Sequence, residues 1–166
     1  RMARELQLAA LTQANFMPRQ LPSLEGWQMS ATLVTARETS GDFYDVFSLP
    51  GGTCGILIAD VVDKGVAAAL FMVLAWSLIR ESAGSVPDRP EKIFDLVNRK
   101  LLSMMDRLVF VTAFLGILDP KTGTSITSPA SIDRMASMVE ERPDSASFNE
   151  LKALISSLLI ITSQDN

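Results

Sequence analysis

The chain contains no histidine. That absence excludes Ser-His-Asp and Cys-His triads, His-ligated zinc and a histidine general base. Cys54 is the single cysteine, which excludes an internal disulfide framework and suits a reducing compartment. An excess of basic charge is also missing. Lys and Arg number 15 against 19 Asp and Glu, a net charge of −4, without the footprint of a nucleic-acid partner. The longest apolar run, Gly65 to Ile79, lies between Lys64 and Arg80 and falls short of the roughly 20 residues of a bilayer span. It reads as a buried core helix rather than a membrane span. The opening Arg1-Met2-Ala3-Arg4-Glu5 carries charges where a signal peptide needs an apolar segment. These absences predict a cytoplasmic location. Met2 behind Arg1 points to a piece of a longer chain. Hydrolytic chemistry is left to carboxylates, the thiol, amines or a hard metal.

What is present is the composition of one globular domain, with 48% hydrophobic residues in 166. Met2, Leu6, Ala9, Gln13 and Phe16 alternate at spacings of four and three, which predicts a helix over 2–17 with a short a/d seam. Such a seam either pairs with a second copy or packs on its own domain. Pro18 and Pro22 end it. Strands are expected at 27–36, 42–49 and 53–61, the last two joined by the turn Pro50-Gly51-Gly52. Helices follow at 65–80 and, with Ile93, Val97, Leu101 and Met104 on one stripe, at 90–107. A strand at 109–118 closes on the turn Asp119-Pro120-Lys121-Thr122-Gly123. Helices at 131–141 and 148–157 and a short strand at 158–162 complete the pattern. Strands, paired helices and strands again predict a layered α/β or α+β fold without regular βαβ repetition.

The hairpin carries the informative chemistry. A turn centred on Gly51 sets Asp42 opposite Asp60. Directly opposed side chains have Cβ atoms about 4.5–5.5 Å apart, and like charges there repel. Asp60 also ends the apolar strand Gly55-Ile56-Leu57-Ile58-Ala59, where a lone carboxylate is costly to desolvate. Arg37 and Lys64 are the nearby cations, and a hard divalent ion suits two carboxylates better. A turn centre half a residue earlier would set Asp42 against Ala59 instead. In either register the alternative to a metal site is that Asp42, Asp45 and Asp63 are solvated loop and edge residues and Asp60 caps a turn.

At these residues the chain resembles a known family. Ser40-Gly41-Asp42-Phe43-Tyr44-Asp45 and the run Ile58-Ala59-Asp60-Val61-Val62-Asp63-Lys64-Gly65 through Met72 resemble the SpoIIE/RsbU-like branch of the PPM metal-dependent protein serine/threonine phosphatases. Glu5 to Ala9, Leu21-Pro22 and Gly26-Trp27 resemble the linker that precedes such domains. Phe110 to Phe114 and Leu118 to Gly123 resemble a later strand and turn. The resemblance implies a linker helix over 1–26 and a phosphatase domain over 27–166. It implies a central antiparallel β-sandwich flanked by helices, α-β-β-α, with two Mn²⁺ or Mg²⁺ at one end. It implies hydrolysis of phosphoserine or phosphothreonine by a metal-activated water, with no phosphoenzyme and therefore no nucleophilic Ser40 or Cys54. In that pattern Asp42 ligates one metal, Asp60 bridges both, and the Val61 carbonyl adds a ligand. Under that mechanism Arg37 is either a contact for substrate phosphate or, the favoured reading, a solvated surface arginine, and Asp45 and Asp63 are candidates for outer or water-mediated ligands. The implied partners are an upstream sensory domain and a phosphorylated regulatory protein of the STAS anti-sigma-factor-antagonist type. Apart from the resemblance, the Leu6 and Phe16 stripe predicts a parallel homodimer through the N-terminal helix, the alternative being a helix that is only a spacer.

The chain departs from the family in four places. Val62 stands where a small hydroxyl residue is usual. After Gly123 the strand, the Ala-Gly-His-Asn-Pro-like loop and the Thr-Asp-Gly strand of the family are not recognisable, so a segment is expected to be missing near 124–130. Ser131-Ile132-Asp133-Arg134 resembles the later helices. Asp165 fits the family's last aspartate ligand, and the strand after it is expected to be missing. An active phosphatase and a catalytically silent relative acting as a binding module both fit these features. A sensory scaffold has no need of opposed aspartates.

Overall fold

Two consecutive glycines reverse the chain at the centre of the fold. Gly51 and Gly52 take φ of 87° and 82°, a region that costs glycine little, and the Leu49 amide donates to the Thr53 carbonyl at 2.8 Å to close the loop. The computed structural model describes residues 11–12, 14–32, 42–62, 66–104, 110–132 and 159–163. Strands β2 (Asp42–Ser48) and β3 (Cys54–Val62) flank this turn, and β4 (Phe110–Leu118) and β5 (Ser125–Ile132) extend an antiparallel sheet in the order β2-β3-β4-β5. β1 (Trp27–Ala31) pairs antiparallel with β6 (Leu159–Ser163) in a separate two-stranded sheet.

Period-two alternation gives the large sheet two apolar faces. Phe43 and Phe47 of β2, Leu57, Ala59 and Val61 of β3, and Val111, Ala113, Leu115 and Ile117 of β4 share one core with the helices α1 (Val66–Ser85) and α2 (Pro90–Met104). On the other face Val46, Cys54 and Leu118 pack against Leu21, Leu24, Trp27 and Met29, so the β1 layer covers it. The Trp27 indole N–H donates to the Pro120 carbonyl at 2.9 Å and ties β1 to the β4–β5 turn. The order of layers is helices, four-stranded sheet, two-stranded sheet. This is the expected layered mixed α/β class with an antiparallel sheet. The expected helices over 133–141 and 148–157 lie outside the described residues.

Two boundaries differ from expectation. α1 runs past Arg80 to Ser85, because Ser82 and Ala83 still face the core, and it ends before Pro87. By length and composition it reaches what a membrane span needs, with a mean hydropathy of 1.5, and half of that window is buried within the fold. Secondly, 125–132 form a strand where none is expected from the sequence, and the helix expected over 131–141 does not begin at 131. β5 is an edge strand, which is where Pro129, with no amide to donate, can sit in a sheet.

Candidate metal centre

The register of the hairpin selects the Gly51-centred turn. Asp42 pairs with Asp60, and Ala59 faces Phe43 instead. Both aspartates are half-buried, whereas Phe43, Ala59 and Val61 beside them are buried under the helices. Alternation therefore puts the two carboxylates together on the face turned toward the small sheet, at the strand end remote from the turn. Directly opposed side chains have Cβ atoms about 4.5–5.5 Å apart, and like charges placed there repel. Two hard oxygen donors side by side fit Mg²⁺ or Mn²⁺, which are commonly held by one or two carboxylates and keep several waters. Among the described residues no group of three metal-binding side chains occurs. Across β3 the same register sets Thr112 of β4 opposite Asp60.

Asp45, three residues along β2, lies on the opposite face. It is fully buried, and it accepts from the Trp76 indole N–H at 2.7 Å, Arg80 Nε at 2.5 Å and Arg80 Nη2 at 2.9 Å. The Arg80 guanidinium lies 5.0 Å from the Phe47 ring centroid and 4.9 Å from that of Trp76. These contacts anchor α1 to β2 and correct the expectation that Asp45 serves the metal site. The hydrogen bond to Asp45 raises the Arg80 pKa further above its already high value. This node is not among the features expected from the sequence. Its signal was the spacing of Trp76 and Arg80, one helical turn apart and on one face.

The Cys54 thiol is buried, and burial, with the Asp45 charge second, pushes its pKa up to about 11. It is a poor nucleophile near neutrality, as expected of a core residue. Burial likewise raises the Tyr44 hydroxyl, with the Asp45 charge adding to it. The Val61 side chain points into the helix-side core, which leaves only its carbonyl for the expected ligand role. Ser40, Arg37, Asp63 and Asp165 lie outside the described residues.

Several known proteins are similar to this chain in sequence or in fold. Residues 50–130 match the family model of stage II sporulation protein E. Protein IcfG of Synechocystis is 49% identical over 80 residues, covering 48% of this chain and 13% of that protein. The phosphoserine phosphatase RsbU of Bacillus subtilis is 32% identical over 113 residues, 66% of this chain and 32% of RsbU. The chain thus spans a third or less of these curated relatives. The PP2C domain of SiaA from Pseudomonas aeruginosa superposes with a TM-score of 0.64 at 26% identity, over 77% of this chain and 53% of that domain. A structure of RsbU and RsbW domains from Mycobacterium tuberculosis shares the fold, with a TM-score of 0.55 at 21% identity over 69% of this chain and 32% of that one. The family match, the RsbU relative and the PP2C neighbour together support a PPM-type phosphatase of the SpoIIE/RsbU-like branch.

Proposed function

We propose that this chain is the core of a metal-dependent protein phosphatase that hydrolyses phosphoserine or phosphothreonine on a regulatory protein. The observation that carries the reading is the directly paired Asp42 and Asp60 at the open end of the hairpin. In a PPM-type domain Asp42 and Asp60, with the Val61 carbonyl and Asp165, would be the residues that hold two Mn²⁺ or Mg²⁺. Bound divalent ions supply Lewis acidity toward phosphoryl oxygens and lower the pKa of water. The protein's own part is to bring two like charges to one edge and exclude competing apolar contacts there. Arg37 would meet the substrate phosphate through its planar fork. The substrate by analogy is a STAS-type anti-sigma-factor antagonist. The setting is a cytoplasmic signalling protein, with residues 1–26 as linker to an upstream sensory domain and 27–166 as phosphatase domain.

The test is turnover of a phosphoserine protein by the full-length protein. Excess chelator should remove activity, and Mn²⁺ should restore it better than Zn²⁺, since no histidine is available to hold zinc. Full turnover in excess chelator would contradict the reading, and no turnover under any metal would favour a silent binding module.

A further inference from the structure

β4 reads Phe-Val-Thr-Ala-Phe-Leu-Gly-Ile-Leu from Phe110 to Leu118, and Thr112 is its one polar side chain. The register sets that residue directly opposite Asp60, while the adjacent row on the same face is Tyr44, Ile58 and Phe114. One row therefore runs Asp42, Asp60, Thr112 across three neighbouring strands, and Ser131 of β5 takes the next place in register. Thr112 is half-buried, as Asp60 is. From this juxtaposition we propose that Thr112 is a positioning residue for Asp60, its hydroxyl donating to the carboxylate when divalent ions are held there. The inference rests on the metal-site reading above.

The chemistry favours a hydroxyl at this place. A carboxylate shared between cations must keep one rotation about its Cβ–Cγ bond, and each of its oxygens has lone pairs to spare for a donor. A cross-strand hydroxyl about 5 Å away at Cβ reaches that carboxylate. Being neutral, it fixes the group without competing with a cation, as lysine would. Hydrogen-bond partners that orient metal ligands commonly control affinity by 10–100-fold. The plain alternative is that Thr112 is only a good strand former. Valine has the same shape and equal or better strand propensity, so that alternative makes Thr112→Val harmless.

Mn²⁺ binding to the full-length protein, measured by calorimetry and by the electron-spin resonance of the free ion, separates these outcomes. Thr112→Val should weaken Mn²⁺ binding by about 10-fold or more, and Thr112→Ser, which keeps the hydroxyl, should return it to within about 3-fold of the parent. Melting temperatures measured without metal show whether each variant is folded, and Thr112→Ala replaces Thr112→Val if the latter disturbs folding, with the same result expected. Binding within about 3-fold of the parent in Thr112→Val, with binding lost in Asp60→Asn, would overturn this inference and leave the metal site standing. Equal losses in Thr112→Val and Thr112→Ser would overturn it too, since packing alone would then be at work. Retained binding in Asp60→Asn would overturn the metal-site reading itself, and this inference with it.

Discussion

Asp45 and Arg80 form a pair whose two halves are unequal. Asp45 is fully buried, whereas the Arg80 side chain keeps 41% of its surface exposed. Removing the cation strands a carboxylate beside a single indole N–H, while removing the carboxylate leaves an arginine that can still reach water. Breaking a buried pair by taking one partner costs about 3–5 kcal/mol when the other charge is left uncompensated. Arg80→Met should therefore destabilise by about 3 kcal/mol and Asp45→Asn by clearly less, as read from urea unfolding midpoints. Equal costs would mean that Asp45 gains water in the variant. Cys54 gives a second residue-level test. Its pKa is raised from 9.0 to about 11 by burial, so the native state holds the neutral thiol while the unfolded chain ionises. The stabilisation is complete below about pH 9 and is lost as pH rises toward 11. The parent should lose more stability than Cys54→Ala between pH 8 and pH 10.5, and native Cys54 should resist iodoacetamide at pH 8 until denaturant is added.

Elements built on local chemistry were legible in the sequence, and those built on tertiary context were not. The turn at Pro50-Gly51-Gly52 was legible and narrowed the β2–β3 register to two choices, of which the structure has the one that pairs Asp42 with Asp60. β4 and the stripe of α2 were plain from their apolar periods. β5 was not, because Ser-Ile-Thr-Ser-Pro-Ala-Ser-Ile has small polar residues and a proline, and its strand state comes from pairing with β4. The face on which Asp45 lies was implicit in the alternation, but its partners sit on a helix that starts more than twenty residues later. Gly55 is a further case where packing sets the residue. A Cβ there would stand 2.7 Å from Phe47 Cζ and 2.8 Å from its Cε2, and that ring is held under Arg80. Gly55→Ala should cost about 1–3 kcal/mol by overpacking, and Phe47→Leu in the same chain should recover part of it. A Gly55→Ala protein with an unchanged unfolding midpoint would show that the ring moves freely.

Over the whole molecule, the segment before β1, the helices and the hairpin form one line of contacts. The Phe16 ring meets Trp76 edge-on at 5.3 Å, and Trp76 donates to Asp45 on the strand that carries Asp42. Phe16 thus docks on its own domain, one of the two uses expected of the seam, and Leu6 lies outside the described residues. The proposed parallel homodimer through the N-terminal helix then rests on positions before Phe16. Leu6→Glu should shift sedimentation of the full-length protein from dimer to monomer, and an unchanged sedimentation coefficient would leave residues 2–17 as a spacer. The central claim is that Asp42 and Asp60 together hold divalent metal, and the melting temperature with and without Mn²⁺ tests it most directly. A ligand that binds only the folded state raises the melting temperature, and removing one of two opposed like charges relieves repulsion in the metal-free protein. The account predicts that millimolar Mn²⁺ raises the melting temperature of the parent but not of Asp60→Asn, and that Asp60→Asn without metal melts no lower than the parent. The same Mn²⁺-induced rise in both proteins would contradict it.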